Sequence, residues 1–171
     1  MRALKRFVPL DRNLHDRVSF DCGKVALNTF LSKQAAKHRR LNISSTHVLP
    51  AAGIPKGKPK PITAYYTLSI GEIHRESIPR GRKLPYYPIP VIVLARLAVD
   101  SRAQGQGLGE MTLIRAVRHS ARIADSLPAH AIVVDVMDDQ AMNFYRRYRD
   151  FQVLTDNPRR LFMPITIARQ I

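Results

Sequence analysis

The sequence predicts an α+β fold, a single mixed and mostly antiparallel sheet flanked by helices, on three observations. Residues 91–100, Val-Ile-Val-Leu-Ala-Arg-Leu-Ala-Val-Asp, have the length and β-branched content of a buried strand. A glycine-rich turn, Gln104-Gly105-Gln106-Gly107-Leu108-Gly109, follows it, and beyond that apolar residues at 108, 111, 114, 117, 121 and 124 repeat at helical spacing. Further strand-like runs and two other helical patterns fill the rest of the chain, with no internal repeat and no linker. A chain of 171 residues with this pattern reads as one domain, 1–171, long enough to bury a core.

Taken in order, residues 7–20 combine a strand-like start with a polar turn. Phe20-Asp-Cys-Gly then opens a helix whose buried stripe is Val25, Leu27, Phe30, Leu31 and Ala35. That helix ends in Lys37-His-Arg-Arg40, cations where the helix dipole favours them. Residues 45–49 are strand-like, and residues 50–61, with four prolines, two glycines and three lysines, are an exposed loop. Residues 62–71 are rich in β formers and give the next strand. Residues 72–90 are proline-punctuated and basic, and the central strand, turn and long helix come after them. Ala131–Met137 is a further buried strand, Asp139 to about Tyr148 a short helix, and residues 151–154 and 161–164 closing strands.

Composition narrows the function classes. No apolar stretch approaches the roughly 20 residues of a membrane helix. Residues 1–10 lack the long apolar core and small-residue cleavage site of a signal peptide. Cys22 is alone, so it forms no internal disulfide and fits a reducing cytoplasm as a small, partly buried thiol. The six histidines have no ligand-like spacing, so no metal site is expected.

The formal net charge is +15, and it is unevenly placed. Residues 1–95 hold 17 Lys and Arg against 5 Asp and Glu, whereas residues 96–171 hold 11 against 8. A single-sign field of this size attracts polyanions and steers them on encounter, so a nucleic acid partner is expected, although an acidic protein could use the same surface. Candidate phosphate contacts are Lys33, Lys37, Arg39, Arg40, Arg80, Arg82, Lys83 and Arg96. Arg115, Arg118 and Arg122 line the solvent side of the long helix, where they are either solvated charges or contacts to RNA or a partner.

Strand, glycine-rich turn and helix make a phosphate cradle, because backbone N–H groups and the positive helix end face one concavity. Glycines keep side chains out of that approach. No Gly-Lys-Ser/Thr follows at Walker spacing. A dinucleotide fingerprint also fits poorly, because the preceding half of the chain has no doubly wound pattern.

With its neighbours, the loop resembles a known family. Arg96-Leu-Ala-Val-Asp100 followed by Gln-Gly-Gln-Gly-Leu-Gly is similar to the Gln/Arg-x-x-Gly-x-Gly/Ala motif of GNAT-superfamily acetyltransferases, with Gln104, Gly107 and Gly109 at its fixed positions. Asn143-Phe144-Tyr145 resembles the superfamily's second hallmark on its last helix. Phe20-Asp-Cys-Gly with Leu27-Asn28 and Phe30-Leu31, and the terminal Leu161-Phe-Met-Pro-Ile, resemble the acetyltransferase toxins of bacterial type II toxin–antitoxin pairs. One departure stands out. The family usually reads Tyr, three residues, Gly-Phe, whereas here Tyr145 is followed by Arg-Arg-Tyr-Arg-Asp-Phe151.

The resemblance implies the GNAT fold and acetyl-CoA as acetyl donor. It implies that the segment Gln104, Gly105, Gln106, Gly107, Leu108, Gly109 and Glu110 holds the pyrophosphate through its amides. Leu97, Ala98 and Val99 would line the pantetheine arm, Asn143 and Phe144 would lie by the cofactor, and Tyr145 would sit beside the thioester sulfur as proton donor. A backbone N–H near Val99 would polarise the thioester carbonyl, an oxyanion-hole role. The implied acceptor is the α-amino group of the amino acid on a charged tRNA, whose acetylation blocks translation. Also implied are a homodimer, a cognate ribbon-helix-helix antitoxin, and promoter DNA bound only through the antitoxin complex. Two alternatives stay open on the sequence: an acetyltransferase acting on a protein or small-molecule amine, and a non-catalytic basic nucleic-acid-binding protein whose glycine turn merely packs.

Overall fold

A computed structural model describes residues 6–171, and for Arg82 it describes the backbone alone. Arg2 and Lys5, counted in the basic half, and the first half of the segment read against a signal peptide lie outside the described residues. Eight strands form a mixed sheet in the order β1-β3-β4-β5-β6-β8-β7, with β2 pairing β4 off that path. They are β1 (Val8–Pro9), β2 (His15–Asp16), β3 (Ser45–Pro50), β4 (Lys60–Ile73), β5 (Ile89–Val99), β6 (Ala131–Asp135), β7 (Gln152–Leu154) and β8 (Asn157–Pro164). No described helix is long and apolar enough to cross a membrane.

The chain resolves into two compact units. The first comprises residues 1–69 and 96–116. In it β3 runs antiparallel to both β1 and β4, with Val8 opposite Val48 and Thr46 opposite Thr67. Residues 62–68 of β4 are buried without interruption, which is why that run is continuously apolar or β-branched rather than alternating. Phe20, Phe30, Leu31, Val48, Ile62 and Tyr65 share one core cluster, and Leu49, Ala64, Val99 and Ala103 share another with Leu108 and Met111.

The first helix differs from its predicted form. It begins at Val25, not Phe20, and runs as α1 (Val25–Thr29), a π-turn (Phe30–Gln34) and α2 (Ala35–Arg40). The preceding residues are wound into a turn, with Asp21 Oδ1 accepting the Gly23 N–H at 2.9 Å. Val25 is 80% exposed, so it does not belong to the buried stripe. Val25 precedes the π-turn and, two residues from Leu27, faces away from it; within the turn the Ala35 N–H donates to the Phe30 carbonyl, five residues back, and Phe30, Leu31 and Ala35 bury together.

The second unit comprises residues 70–95 and 117–171. There β5 and β6 run parallel (Val91 opposite Ala131), while β8 is antiparallel to both β6 and β7 (Val133 opposite Phe162). Ile73, Ile78, Ile89, Val91, Ala131, Val133, Leu154 and Phe162 form its core cluster. The long helix α3 (Leu108–Ser126) spans the predicted residues, but its most buried positions are Thr112, Leu113, Ala116, Val117, Ser120, Ala121 and Ala124. Leu108, Met111 and Ile114 are only half-buried. Weighting large apolar residues displaced the predicted face, because this helix seats small ones. α4 (Asp139–Tyr145) ends earlier than expected, and a closing helix, α5 (Ile165–Ala168), was not anticipated.

Candidate active site

The glycine-rich loop lies in the first unit, where β5 ends and α3 begins. Gly105 and Gly107 have φ of +76° and +77°, the left-handed region that side chains resist. A Cβ built on either would meet nothing within 4 Å, so dihedral angle, rather than crowding from the protein itself, requires glycine. The Gly107 carbonyl accepts the Met111 N–H at 3.1 Å and starts the helical ladder. Gln104, Gly105, Gln106, Gly107 and Glu110 are exposed, and Leu108 and Gly109 half-buried. Two left-handed glycines before a 19-residue helix leave an open concavity fit for a pyrophosphate.

Gln104 holds the loop to the strand it leaves. Its Nε2 donates to the Val99 carbonyl at 2.8 Å and to the Cys22 carbonyl at 3.2 Å. Beneath it is a network that sequence reading did not assign. The Asp100 side chain, 1% exposed, accepts from the Arg102 backbone N–H at 2.9 Å and from Arg102 Nε and Nη2 at 2.8 and 3.0 Å. It also accepts the Asp21 N–H at 3.2 Å. Ser101 donates both its N–H and its Oγ to the Asp21 carbonyl, each at 2.8 Å. Asn28 completes the knot, donating to Asp21 Oδ1 at 2.8 Å and accepting the Cys22 N–H at 2.9 Å. Burial alone would raise the Asp100 pKa, but hydrogen bonds from Arg102 and Asp21 bring it below the usual carboxylate value. The Phe20-Asp-Cys-Gly and Asn28 motifs were visible, yet the Asp100 and Ser101 partners of Asp21 lie about 80 residues away.

Leu97 is half-buried, and Ala98 and Val99 are buried at the end of β5. The Asp100 N–H is committed to the Thr63 carbonyl at 2.9 Å. Cys22 is half-buried, and burial pushes its thiol pKa up, which suits a structural thiol rather than a nucleophile. Among the described residues no group of three His, Cys, Asp or Glu could hold a metal ion.

In the second unit, Asp138 caps α4 by accepting the Ala141 N–H at 2.8 Å. Asn143 is exposed, Phe144 half-buried and Tyr145 only 6% exposed. The Tyr145 ring packs edge-on against Phe144 and Phe151, with centroids 5.1 and 5.6 Å apart. Burial, with a smaller contribution from Tyr148, raises the phenol pKa above its ordinary value, so it stays protonated well into the alkaline range. The missing glycine after this helix has a backbone answer. No residue from 146 to 151 has positive φ, and successive bonds from Tyr148 N to the Tyr145 carbonyl (3.0 Å) and Phe151 N to the Tyr148 carbonyl (3.2 Å) bring Phe151 back onto Tyr145.

The candidate phosphate contacts divide. Lys33, Lys37, Arg39 and Arg40 are exposed along the π-turn and α2, with Arg39 Nη1 3.4 Å from Ser45 Oγ. Arg80 and Lys83 are exposed in the second unit. The Arg96 guanidinium is half-buried, stacked 3.6 Å above the Phe30 ring centroid.

A strand end, a left-handed glycine pair and a helix N-terminus in this α+β sheet form an anion cradle, and comparison with known proteins gives the class that uses it. No protein-family model matches the chain. A tRNA-acetylating toxin of Mycobacterium tuberculosis is 32% identical over 157 residues, 91% of this chain and 90% of that one. Among solved structures, AtaT complexed with acetyl-methionyl-tRNAfMet aligns with a TM-score of 0.85 at 27% identity, over 96% and 97% of the two chains. A tyrosine-to-phenylalanine mutant of KacT aligns at 0.83 and 30%, over 91% of each. The same fold match covers AtaTR bound with AcCoA (TM-score 0.80, 25% identity, 96% of each chain) and a KacTA–DNA complex (0.76, 27%, 96% and 97%). The chain belongs to the tRNA-acetylating toxins, the GNAT acetyltransferases of toxin–antitoxin systems.

Proposed function

We infer that the chain transfers the acetyl group of acetyl-CoA to the α-amino group of the amino acid on a charged tRNA, blocking peptide-bond formation. The loop from Gln104 to Glu110 carries this reading, an anion cradle in a fold whose neighbours include AtaT with acetyl-methionyl-tRNAfMet and AtaTR with AcCoA. Acetyl-CoA supplies an acetyl group activated as a thioester. The backbone N–H groups of Gly105, Gln106, Gly107, Leu108, Gly109 and Glu110 take its pyrophosphate, and Leu97–Val99 its pantetheine arm. Since the Asp100 N–H is spent on Thr63, the carbonyl-polarising amide is one nearer Val99. Tyr145 returns a proton to the departing thiolate; a phenol is protonated near neutral pH at its ordinary pKa of about 10, and the ring is held in place by Phe144 and Phe151. Asn143 and Phe144 flank it on α4. A free α-amine has a pKa of about 7.7–8.0 and the adjacent ester of an aminoacyl-tRNA lowers it further, so the acceptor is substantially neutral near pH 7.5 and needs no strong base.

The exposed cations Lys33, Lys37, Arg39, Arg40, Arg80 and Lys83 supply phosphate contacts for the tRNA, with Arg82 in the same basic stretch. Arg96 enters this set through its place in β5 and acts from its stack on Phe30. The proposed partners are a second copy of the chain and a ribbon-helix-helix antitoxin through which promoter DNA is bound. The KacTA–DNA neighbour supports the DNA link. A lone thiol supports a cytoplasmic location.

The deciding experiment supplies labelled acetyl-CoA to total charged tRNA, comparing the parent chain with Tyr145→Phe. Label should enter the charged fraction alone, and the variant should lose about 10²-fold or more in rate, the scale of a general acid. Equal labelling of uncharged tRNA, or none of the charged, refutes the acceptor. A fully active Tyr145→Phe refutes the proton donor.

A further inference from the structure

We propose that the second unit carries a seat for one unpaired nucleotide of the RNA, with its base stacked on Tyr86 and its phosphate held by Arg80 and Lys83. The proposal rests on the acceptor being a tRNA. The seat is an open depression of about 990 Å³ lined by Arg75, Glu76, Arg80, Lys83, Tyr86 and Thr155, among others. Its walls are two short 3-10 turns, Arg75–Ser77 and Gly81–Lys83. Tight bonds close them: Ile78 N to the Arg75 carbonyl at 3.1 Å, Gly81 N to the Ile78 carbonyl and Leu84 N to the Gly81 carbonyl, both at 2.9 Å. A Cβ on Gly81 would fall 2.1 Å from the Arg75 carbonyl oxygen, so only glycine fits. The turns are also tied to the β7–β8 connection. Ser77 Oγ donates to Asp156 Oδ2, and Thr155 donates its N–H and Oγ1 to the Ser77 and Glu76 carbonyls, each at 2.8 Å.

Within this frame two features point to a base and its phosphate. The Arg75 guanidinium lies 3.3 Å from the centroid of the Tyr86 ring. It is itself fixed by the Leu84 carbonyl at 2.9 Å and Glu76 Oε1 at 3.3 Å, with its side chain only 15% exposed. One face of the phenol is therefore occupied by a clamped cation, while Tyr86 as a residue remains 79% exposed. A tyrosine stiffened from behind and open in front is a stacking platform, and a π-face takes any unpaired base. Arg80 is the second feature. It is exposed with φ +59°, a left-handed conformation that an arginine adopts only when its surroundings impose it. Lys83 is exposed on the next turn, and Glu76 is the depression's one carboxylate, already engaged by Arg75. A paired base inside a helix offers no face to such a ring, so the ligand is single-stranded RNA.

The test uses a short single-stranded RNA carrying 2-aminopurine, a duplex of the same sequence, and the full chain. Fluorescence quenching on binding should appear with the single strand and not with the duplex. Tyr86→Ala should weaken that binding roughly 10- to 100-fold, the range for one stacked base, whereas Tyr86→Phe should preserve it. Arg80→Ala with Lys83→Ala should flatten the dependence of log K on log salt. Acetyl-CoA binding, read by calorimetry, should be unchanged throughout, which certifies folding. Tyr86→Ala binding the single strand as the parent does, or equal quenching by duplex, overturns the seat. A parent that acetylates charged tRNA with a KM indifferent to Tyr86→Ala removes the seat and leaves the enzyme. A parent that transfers no acetyl but shows Tyr86-dependent quenching removes the acceptor reading and keeps the seat.

Discussion

Gln104→Ala deletes two hydrogen bonds at once, the 2.8 Å bond to the Val99 carbonyl and the 3.2 Å bond to the Cys22 carbonyl. A neutral hydrogen bond contributes about 1 kcal/mol net, and the longer of these belongs near the lower end, about 0.5 kcal/mol. The bond to Cys22 is exposed and that to Val99 part-buried, so the loss is at least the net worth of the two bonds. About 1.5 kcal/mol of loop ordering is then lost, and if all of it must be supplied on binding, acetyl-CoA affinity falls about tenfold. Gln104→Arg, the other residue the motif allows, offers N–H donors to the same carbonyls and should stay within about threefold of the parent. Gln104→Glu has the right length but only acceptors, so it faces two carbonyl oxygens and should bind worse than the alanine variant. Calorimetric titration with acetyl-CoA measures the ranking, and thermal melts show whether the fold is intact. If the alanine variant binds as tightly as the parent, or the glutamate variant better than alanine, the idea that Gln104 orders the loop is wrong.

Gly107→Ala forces a Cβ into φ +77° and should destabilise the fold by about 1 kcal/mol in denaturant titration, with weaker acetyl-CoA binding, whereas Gly107→Asn should cost less because asparagine tolerates that conformation. Equal stabilities for parent and alanine variant would remove the conformational argument, since space at this position is open. Asp100→Asn removes the charged acceptor beneath the loop and should cost about 2 kcal/mol, the scale of a buried group that loses its partner. The Asp100 pKa is depressed in the fold, so its stabilisation is full above the ordinary carboxylate value and disappears as pH falls through the folded value. The parent should therefore lose stability below about pH 4 more steeply than the asparagine variant, and superimposable acid-melting curves would refute the assignment.

Legibility in the sequence followed the range of the interactions. The loop was readable because its parts are local: a strand end, two glycines and a helix start fall within about twenty residues. The β4 and β6 runs were readable because continuous burial leaves a continuous apolar signature. The brace under the loop was not, because the bonds that join Asp21 to Asp100 and Ser101 span about 80 residues and leave no local pattern. The π-turn was hidden for a related reason. Its closing bond spans five residues, from Ala35 to Phe30, a spacing no 3.6-residue template carries, whereas Val25 lies off the buried stripe before the turn begins.

Charge shows the same limit in a form that bears on the acceptor. A count of cations treats all as equal, but the fold sorts them. Arg102 is spent on Asp100, Arg17 on the Ser32 carbonyl at 3.0 Å, and Arg75 and Arg96 lie on aromatic rings. Lys33, Lys37, Arg40, Arg80 and Lys83 stand in solvent. Cations standing in solvent trade condensed counterions for phosphates more readily than those spent on Asp100 or the Ser32 carbonyl, so the electrostatic part of RNA affinity is set by a fraction of the +15 and not by its total. The first set does something the total conceals. Stacked or paired, these arginines fix the rings and carboxylates beside which the solvent-facing cations work. In a basic protein of this size the excess charge is thus partly scaffold, and the substrate meets what the scaffold leaves exposed.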